Sequence, residues 1–431
     1  MINIASAVTR LKGILDRDIH RTWQAGVMHI GLSNFLTRLT ALAQRVLLAR
    51  ILGAKNIGHI AVVTAALSLI RLPAGAGTFT VVNKLMAENP DDQTVQKEVI
   101  GTSIRVNMVT TLTVGILAWG ILTKTSWLSD LVANRFLRAL ILFLPLMIFS
   151  EIMKNALMGQ RRMRTVADID IGLSLLAIVV VVPMAYIWSI KGWFVNQILI
   201  IFVGVVLLAW TLRRVLSLKW NRDIAKKVAT IGSFAFLGQL VGTLITQFDT
   251  LSVSAILGNA TLTGTYNTAA LVAQQMIVVP GAVLTVVFPF VAQNKDNLPN
   301  LKKRYWELFR KIGGLAIGMA GLAWIICPWF FPIFGKTFVN SVAPFRVLAL
   351  GFVAFSLYVL DNTYLDALGR TDITFASGLL SAILAIVLNL TFIPIWGLMG
   401  AAWATTISMF SSLGVRHLAV HYFIFHKHAI R

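Results

Sequence analysis

Ala49-Arg50-Ile51-Leu52-Gly53 returns as Ser254-Ala255-Ile256-Leu257-Gly258, 205 residues further along the chain. Two more matches keep the order and nearly the spacing. Thr64-Ala65-Ala66-Leu67 returns as Thr268-Ala269-Ala270-Leu271, 204 residues on, and Pro73 as Pro280, 207 residues on. One short match in apolar sequence is chance, but three in order, with small gaps absorbing the drift, indicate a duplicated unit of half the chain. Between one copy and the next lie six apolar runs of roughly 20 residues, the length that crosses a bilayer core. An even number of crossings gives both copies the same polarity, so they are related by an axis along the membrane normal.

Outward from the repeat, apolar runs and their polar punctuation mark about twelve spans: 25–50, 58–84, 99–122, 137–159, 167–188, 193–212, 230–257, 263–291, 312–334, 343–368, 373–393 and 398–423. The 431 residues are 57% hydrophobic and 13% charged, with a mean hydropathy of +0.78, against about 25% charged in a soluble domain. The expected fold is therefore an all-α polytopic membrane protein of two six-helix lobes. An N-terminal segment (1–24) precedes the N-lobe (25–212), a basic linker (213–229) joins it to the C-lobe (230–425), and a tail (426–431) follows. No stretch is long enough for a receptor ectodomain or a tethered soluble enzyme, so function is expected between the helices.

A formal charge of +21 would suggest nucleic acid in a soluble chain, and here its distribution gives it another meaning. Taking alternate connections, one side of the membrane carries 25 Lys and Arg and the other 7. Basic segments resist translocation, which places both termini in the cytoplasm. The charge is then mostly topology, with a lesser role in attracting anionic headgroups; no nucleic acid is expected. Ile4, Ala7, Val8, Leu11, Ile14 and Leu15 recur at helical spacing in the opening segment, as in an interfacial anchor; nothing in it resembles a cleavable signal. The single cysteine, Cys327, excludes an internal disulfide and any cysteine-based metal site, and reads as packing.

Six cations fall inside the spans: Arg38, Arg45, Arg71, Arg105, Lys154 and Arg346. Each costs about 2.5–3.5 kcal/mol if it faces lipid. Arg105, Lys154 and Arg346 lie within about two turns of a helix end, close enough to snorkel, or else they add to the polar lining of a cavity with Asn34, Gln239, Thr243 and Gln274. Arg38, Arg45 and Arg71 lie deeper, where a shared aqueous cavity accounts for them better. Asn34, Arg38 and Arg45 are four and seven residues apart, on one stripe of a helix. Two readings of these cations stand: a cationic wall facing a ligand, or internal salt bridges to Asp249 and Asp361. On the repeat shift, Asn34, Arg38 and Arg45 correspond to Gln239, Thr243 and Thr250, a stripe that stays polar but loses its charge. One lobe is then suited to an anion and the other to hydroxyls.

Asp249 and Asp361 are the intramembrane carboxylates read as coupling sites or counter-ions. Gln274, Gln275, Asn389 and Tyr266 are either further polar lining or interhelical glue. Pro73, Gly75, Gly77 and Pro280 sit at matching places in the two halves, as hinges or as close packing. His417 and His421 have the i, i+4 spacing of a metal pair, but with His426 and His428 they lack a third ligand type and read as a solvated tail; no metal or cofactor is expected. The chain carries no phosphate-cradling loop and no outer connection long enough for catalytic groups.

The chain resembles the polysaccharide-exporter branch of the multidrug/oligosaccharidyl-lipid/polysaccharide superfamily, the Wzx-type O-antigen flippases. The likeness runs over the whole chain in length, span number and repeat. Its local pieces are Leu52-Gly53 to Gly58, Gly75-Ala76-Gly77-Thr78-Phe79 with Asn83-Lys84, and Glu98-Val99-Ile100-Gly101-Thr102-Ser103. The resemblance implies a bacterial inner-membrane, non-enzymatic transporter that moves undecaprenyl-diphosphate-linked oligosaccharide to the periplasmic leaflet through a cavity between two lobes. It also implies O-antigen assembly partners such as a polymerase and a chain-length regulator. Arg38, Arg45 and Arg71 would receive the diphosphate, since guanidinium forks match phosphate oxygens. A membrane glycosyltransferase or polymerase is one alternative, and a small-molecule antiporter is another. The lipid II flippase branch usually has more spans, and multidrug exporters carry acidic residues where this first span has arginines.

Overall fold

The computed structural model describes residues 28–124, 130–294 and 298–423. The expected anchor (1–24), the tail (426–431), His426, His428 and the side chain of Asn34 lie outside the described residues. Within them the chain is helical: α1 Met28–Gly75, α2 Thr78–Glu88, α3 Gln93–Lys124, α4 Leu131–Ile141, α5 Leu144–Gly159, α6 Met163–Trp188 and α7 Ile190–Thr211 form the first half. The second half comprises α8 Arg222–Leu257, α9 Ala260–Gln274, α10 Val278–Gln293, α11 Leu298–Phe330, α12 Val342–Ala367, α13 Thr371–Trp396 and α14 Leu398–His421.

Among the described residues nine helices are long and apolar enough to cross a membrane, or ten with α4 and α5 taken as one bent span. The expected spans are interrupted in several places. Spans 25–50 and 58–84 are two helical stretches of α1 parted at Gly53 (φ 73°, ψ 169°), the second continuing into α2, and span 137–159 is bent by 60° between α4 and α5. The eighth span is divided into α9, a 3-10 turn Gln275–Ile277 and α10. Glycine causes the first break, because its positive φ is costly for other L-residues. The hinges expected near Pro73 and Pro280 coincide with interruptions. Ala76 and Gly77 take positive φ between α1 and α2, and the 3-10 turn precedes Pro280 in α10.

Large apolar side chains face outward, among them Ile116 at 72% exposure and Leu418 at 72%, a surface suited to acyl chains rather than water. Contacts between connections sort them to two ends of the bundle. At the linker end, Gln160 donates to Gln96 (2.8 Å), and Asn221 of the linker region donates to Glu98 (2.7 Å) and to Thr102 (2.9 Å). At the distal end, Arg50 donates to the Ile333 carbonyl (2.6 Å) and Ser341 to the Thr265 carbonyl (2.8 Å).

The duplication seen in sequence reappears as a reciprocal contact. A Cβ on Gly58 would lie 1.8 Å from the Ala260 carbonyl oxygen, and one on Gly264 would lie 2.0 Å from that of Ala54. Gly58 and Gly264, like Ala54 and Ala260, are 206 residues apart. Each half presents the same glycine and the same carbonyl to the other, as a two-fold interface requires. Small residues permit this backbone approach inside a membrane, where hydrophobic attraction between helices is absent.

His59 of α1 pairs with Asp130, which also caps α4 by accepting from the backbone N–H groups of Val132 and Ala133 (3.0 Å each). Burial pushes the Asp130 carboxyl up. The hydrogen bond from His59, the Ala133 N–H, the imidazole charge and the Val132 N–H outweigh burial and hold it below the usual aspartate value. Its contribution is therefore fully present above about pH 3.9 and lost as pH falls through the lower folded value. Asp130→Ala is expected to cost about 1–3 kcal/mol. In a thermal melt in detergent, the gap between wild type and variant should close below about pH 4; a gap that widens in acid would contradict this role.

Candidate functional site: two adjoining chambers

Helix α1 builds most of the site, because its residues 38, 42, 45 and 60, 64, 71 recur at helical spacing on either side of Gly53. Arg38 and Arg45 line a first chamber of about 270 Å³ together with Gln44, Thr64, Trp193, Gln197, Thr268, Gln275 and Phe334. α1 and α7 form its wall in the first half. α9, the 3-10 turn after it and Phe334 close it from the second, so it lies between the halves. No acidic residue lines it. Arg38 is exposed within it and has no ion pair among the described residues.

Arg45 reaches across to the second half, where its guanidinium donates to the Oδ1 of Asn267. The Asn267 amide donates in turn to Thr250 Oγ1 (3.3 Å). The Thr250 N–H (2.6 Å) and the Tyr266 hydroxyl (2.8 Å) both donate to Asp249. The repeat-related positions 45 and 250 thus meet at one asparagine. Asp249 is 5% exposed, bound within this network rather than lining either chamber. Arg45 Nε is buried with no protein partner, an orphaned donor of the kind that protein interiors seldom leave unmatched.

Arg71 lines a second chamber of about 280 Å³ with Glu151, Lys154, Ser68 and Ser150. Thr64, Trp193 and Gln197 line both chambers, which therefore adjoin. Arg71 pairs with Glu151 at 2.9 Å and Lys154 with Asp170 at 2.6 Å. The one shared cavity expected for Arg38, Arg45 and Arg71 is thus two chambers of different character. The first carries two arginines without carboxylates. In the second each cation has its own carboxylate. Among the described residues none of the three arginines is within ion-pair distance of Asp249 or Asp361, the salt bridges of the other reading.

The remaining expected residues are dispersed. Lys154, read as a snorkelling or a cavity residue, lines the second chamber, paired with Asp170. Arg346 stacks on Trp324 at 4.3 Å, and Arg105 is exposed on α3. Gln239, Thr243 and Gln274 line neither chamber, whereas the neighbouring Gln275 lines the first. Asp361 is fully buried within the second half at the linker end. There it accepts from Tyr305, whose hydroxyl oxygen is 2.8 Å from His417 Nδ1. His417, expected in a solvated tail, is therefore part of that cluster. Arg416, counted with the basic connections, is 4% exposed and donates to Ser377 (2.7 Å) and the Thr374 carbonyl (3.1 Å). Among the described residues no group of His, Cys, Asp and Glu has the geometry of a metal site.

Sequence reading missed Glu151, Asp170, Trp193, Gln197 and Asn267. The two acids were legible as carboxylates inside apolar runs; the others carry no signal apart from their neighbours in space.

Residues 47–342 match the family model described as polysaccharide biosynthesis protein. No curated protein matches the chain in sequence. Among solved structures, an inward-facing multidrug resistance MATE family transporter of the MOP superfamily superposes with a TM-score of 0.79 at 15% identity, over 90% of this chain and 94% of that one. An outward-facing transporter of the same description gives 0.67 at 14% identity, over 94% and 97%. The lipid II flippase MurJ in an inward closed conformation gives 0.74 at 13% identity, over 91% and 87%. At such identities the likeness shows the fold.

Proposed function

The chain belongs to the polysaccharide biosynthesis protein family and has the fold of MOP superfamily transporters, and from that premise we propose that it is a flippase for an undecaprenyl-diphosphate-linked oligosaccharide of the O-antigen type. The observation that carries this reading is the first chamber. Two arginines face it with no carboxylate to neutralise them, at the junction of the two halves. A diphosphate supplies the missing negative charge and enough oxygens for two guanidinium forks. Drugs of positive charge would be repelled there, which disfavours the small-molecule antiporter. Arg71, already matched by Glu151, is left to the adjoining chamber.

The basic connections at the linker end support a cytoplasmic location for that end, and in this reading the membrane is the bacterial inner one. The distal end, where Gly58 and Gly264 meet the opposite carbonyls, is then the periplasmic seal. The higher score against the inward-facing transporter agrees with a closed periplasmic side. Arg45 serves both seal and chamber. A diphosphate competes with a neutral amide for its guanidinium, and it offers an opposite charge and paired oxygens where the amide offers one neutral acceptor. Binding would draw Arg45 from Asn267 and loosen the seal on the side toward which the substrate must leave. Asp249, at the far end of the same network, is the coupling group in this scheme.

Surface-glycan display tests the reading, in a host lacking its own flippase and supplied with a lipid-linked repeat unit. Wild type should restore display, and Arg38→Ala with Arg45→Ala should leave precursor in the cytoplasmic leaflet. If precursor reaches the periplasm equally with and without the chain, the proposed function is wrong.

A further inference from the structure

We infer that the second chamber is the subsite for the sugar nearest the diphosphate, and that it selects uncharged, hydroxyl- and acetamido-bearing sugars over uronic acids. The inference rests on the flippase reading above. Its ground is the difference between two chambers that share Thr64, Trp193 and Gln197. A ligand with its diphosphate against Arg38 and Arg45 has the next group along its chain at that shared wall. Beyond the wall, Arg71–Glu151 and Lys154–Asp170 cancel each other's charge.

These pairs are not sealed off: side-chain exposures run from 22% to 35%. Ionised carboxylates only accept hydrogen bonds, and ammonium and guanidinium groups only donate. A sugar hydroxyl does both, and so can bridge members of either pair without altering the charge of the site. An acetamido group offers one donor and one acceptor to the same set, with Gln197 as a further amide partner. A uronic acid would bring a third carboxylate beside Glu151 and Asp170, at low dielectric, where like charges are costly. The first chamber has no such barrier to anions. The diphosphate and the sugar are thus sorted by charge into adjoining spaces.

The test is binding to the purified full-length chain in lipid nanodiscs. Three probes are used, with undecaprenol as the uncharged control: undecaprenyl diphosphate, the same lipid bearing one N-acetylglucosamine, and the same lipid bearing one glucuronic acid. Wild type is expected to bind the N-acetylglucosamine lipid about ten-fold more tightly than the bare diphosphate, and the glucuronic acid lipid no more tightly. Glu151→Gln should remove most of that ten-fold gain and leave bare diphosphate binding intact. Because breaking one half of an ion pair can unfold a membrane helix bundle, Arg71→Glu combined with Glu151→Arg, which keeps the pair, should also lose the gain. Tighter binding of the glucuronic acid lipid, or variants that weaken all three probes equally, would overturn the inference while the flippase reading stands. If undecaprenyl diphosphate binds wild type no better than undecaprenol does, both fall together.

Discussion

Replacing Arg38 and Arg45 together by Ala is expected to weaken binding of undecaprenyl diphosphate at least a hundred-fold. A hydrogen bond to a charged group is worth about 1.5–3 kcal/mol, so two lost anchors remove about 3–6 kcal/mol, and every 1.4 kcal/mol is ten-fold in affinity. Lysine at either position keeps the charge but loses the planar fork, and should recover part of the loss. Lys302→Ala, at a residue exposed on α11 that lines neither chamber, should bind as wild type does. The two arginines should also differ from each other. Arg45 alone bonds to the second half through Asn267, so Arg45→Ala should loosen the periplasmic seal as well as the substrate, whereas Arg38→Ala should affect the substrate only. Asn267→Ala separates these effects, since it frees Arg45 without removing it: substrate binding should be kept, and periplasmic access to the first chamber should rise.

Gly58→Leu and Gly264→Leu are expected to abolish transport while leaving the protein in the membrane. A Cβ at either place would sit 1.8 or 2.0 Å from a backbone carbonyl oxygen of the other half, and no rotamer change relieves a clash with backbone. The halves would have to part at the distal end, which is periplasmic in the proposed orientation. With Cys327 replaced by Ser and a cysteine placed at Gln44, a membrane-impermeant thiol reagent added from the periplasmic side should label the glycine variants and spare the parent. Gly53→Ala is the graded comparison. Its Cβ meets nothing within 4 Å, but its φ of 73° and ψ of 169° lie in a backbone region that is essentially glycine's alone, so it carries only that strain, about 1–3 kcal/mol, and should transport at a reduced rate. Equal labelling of Gly58→Leu and parent, with transport intact, would show that the glycine contact is not the seal.

Much of this architecture was legible because long apolar runs and a half-length repeat are properties of one dimension. The 205-residue shift that aligned Gly53 with Gly258 also brings Arg45 and Thr250 to the same asparagine. The stripe holding Arg38 and Arg45 was legible from helical spacing alone, since both positions stay on one face. What it could not show is what opposes that face. Arg71 and Glu151 are 80 residues apart, on α1 and α5, and only their packing reveals that this charge is already matched. Without that pair the three arginines read as one set. Local backbone set the interruptions inside expected spans, at the bend between α4 and α5 and at the 3-10 turn before Pro280. Apolar runs do not record whether a helix continues through them. His417 was misread because a basic C-terminal stretch resembles a tail, whereas α14 runs to His421 and carries it against Tyr305 and Asp361.

The most direct measurement of the central claim is translocation in proteoliposomes, with purified chain and undecaprenyl diphosphate carrying one N-acetylglucosamine, following the accessibility of the sugar to a membrane-impermeant glycosyltransferase. Wild type is predicted to expose the inner-leaflet lipid to the enzyme, with Arg38→Ala combined with Arg45→Ala slowed to the protein-free rate. Wild-type vesicles that expose no more lipid than empty ones, or a double variant as fast as wild type, would contradict the account.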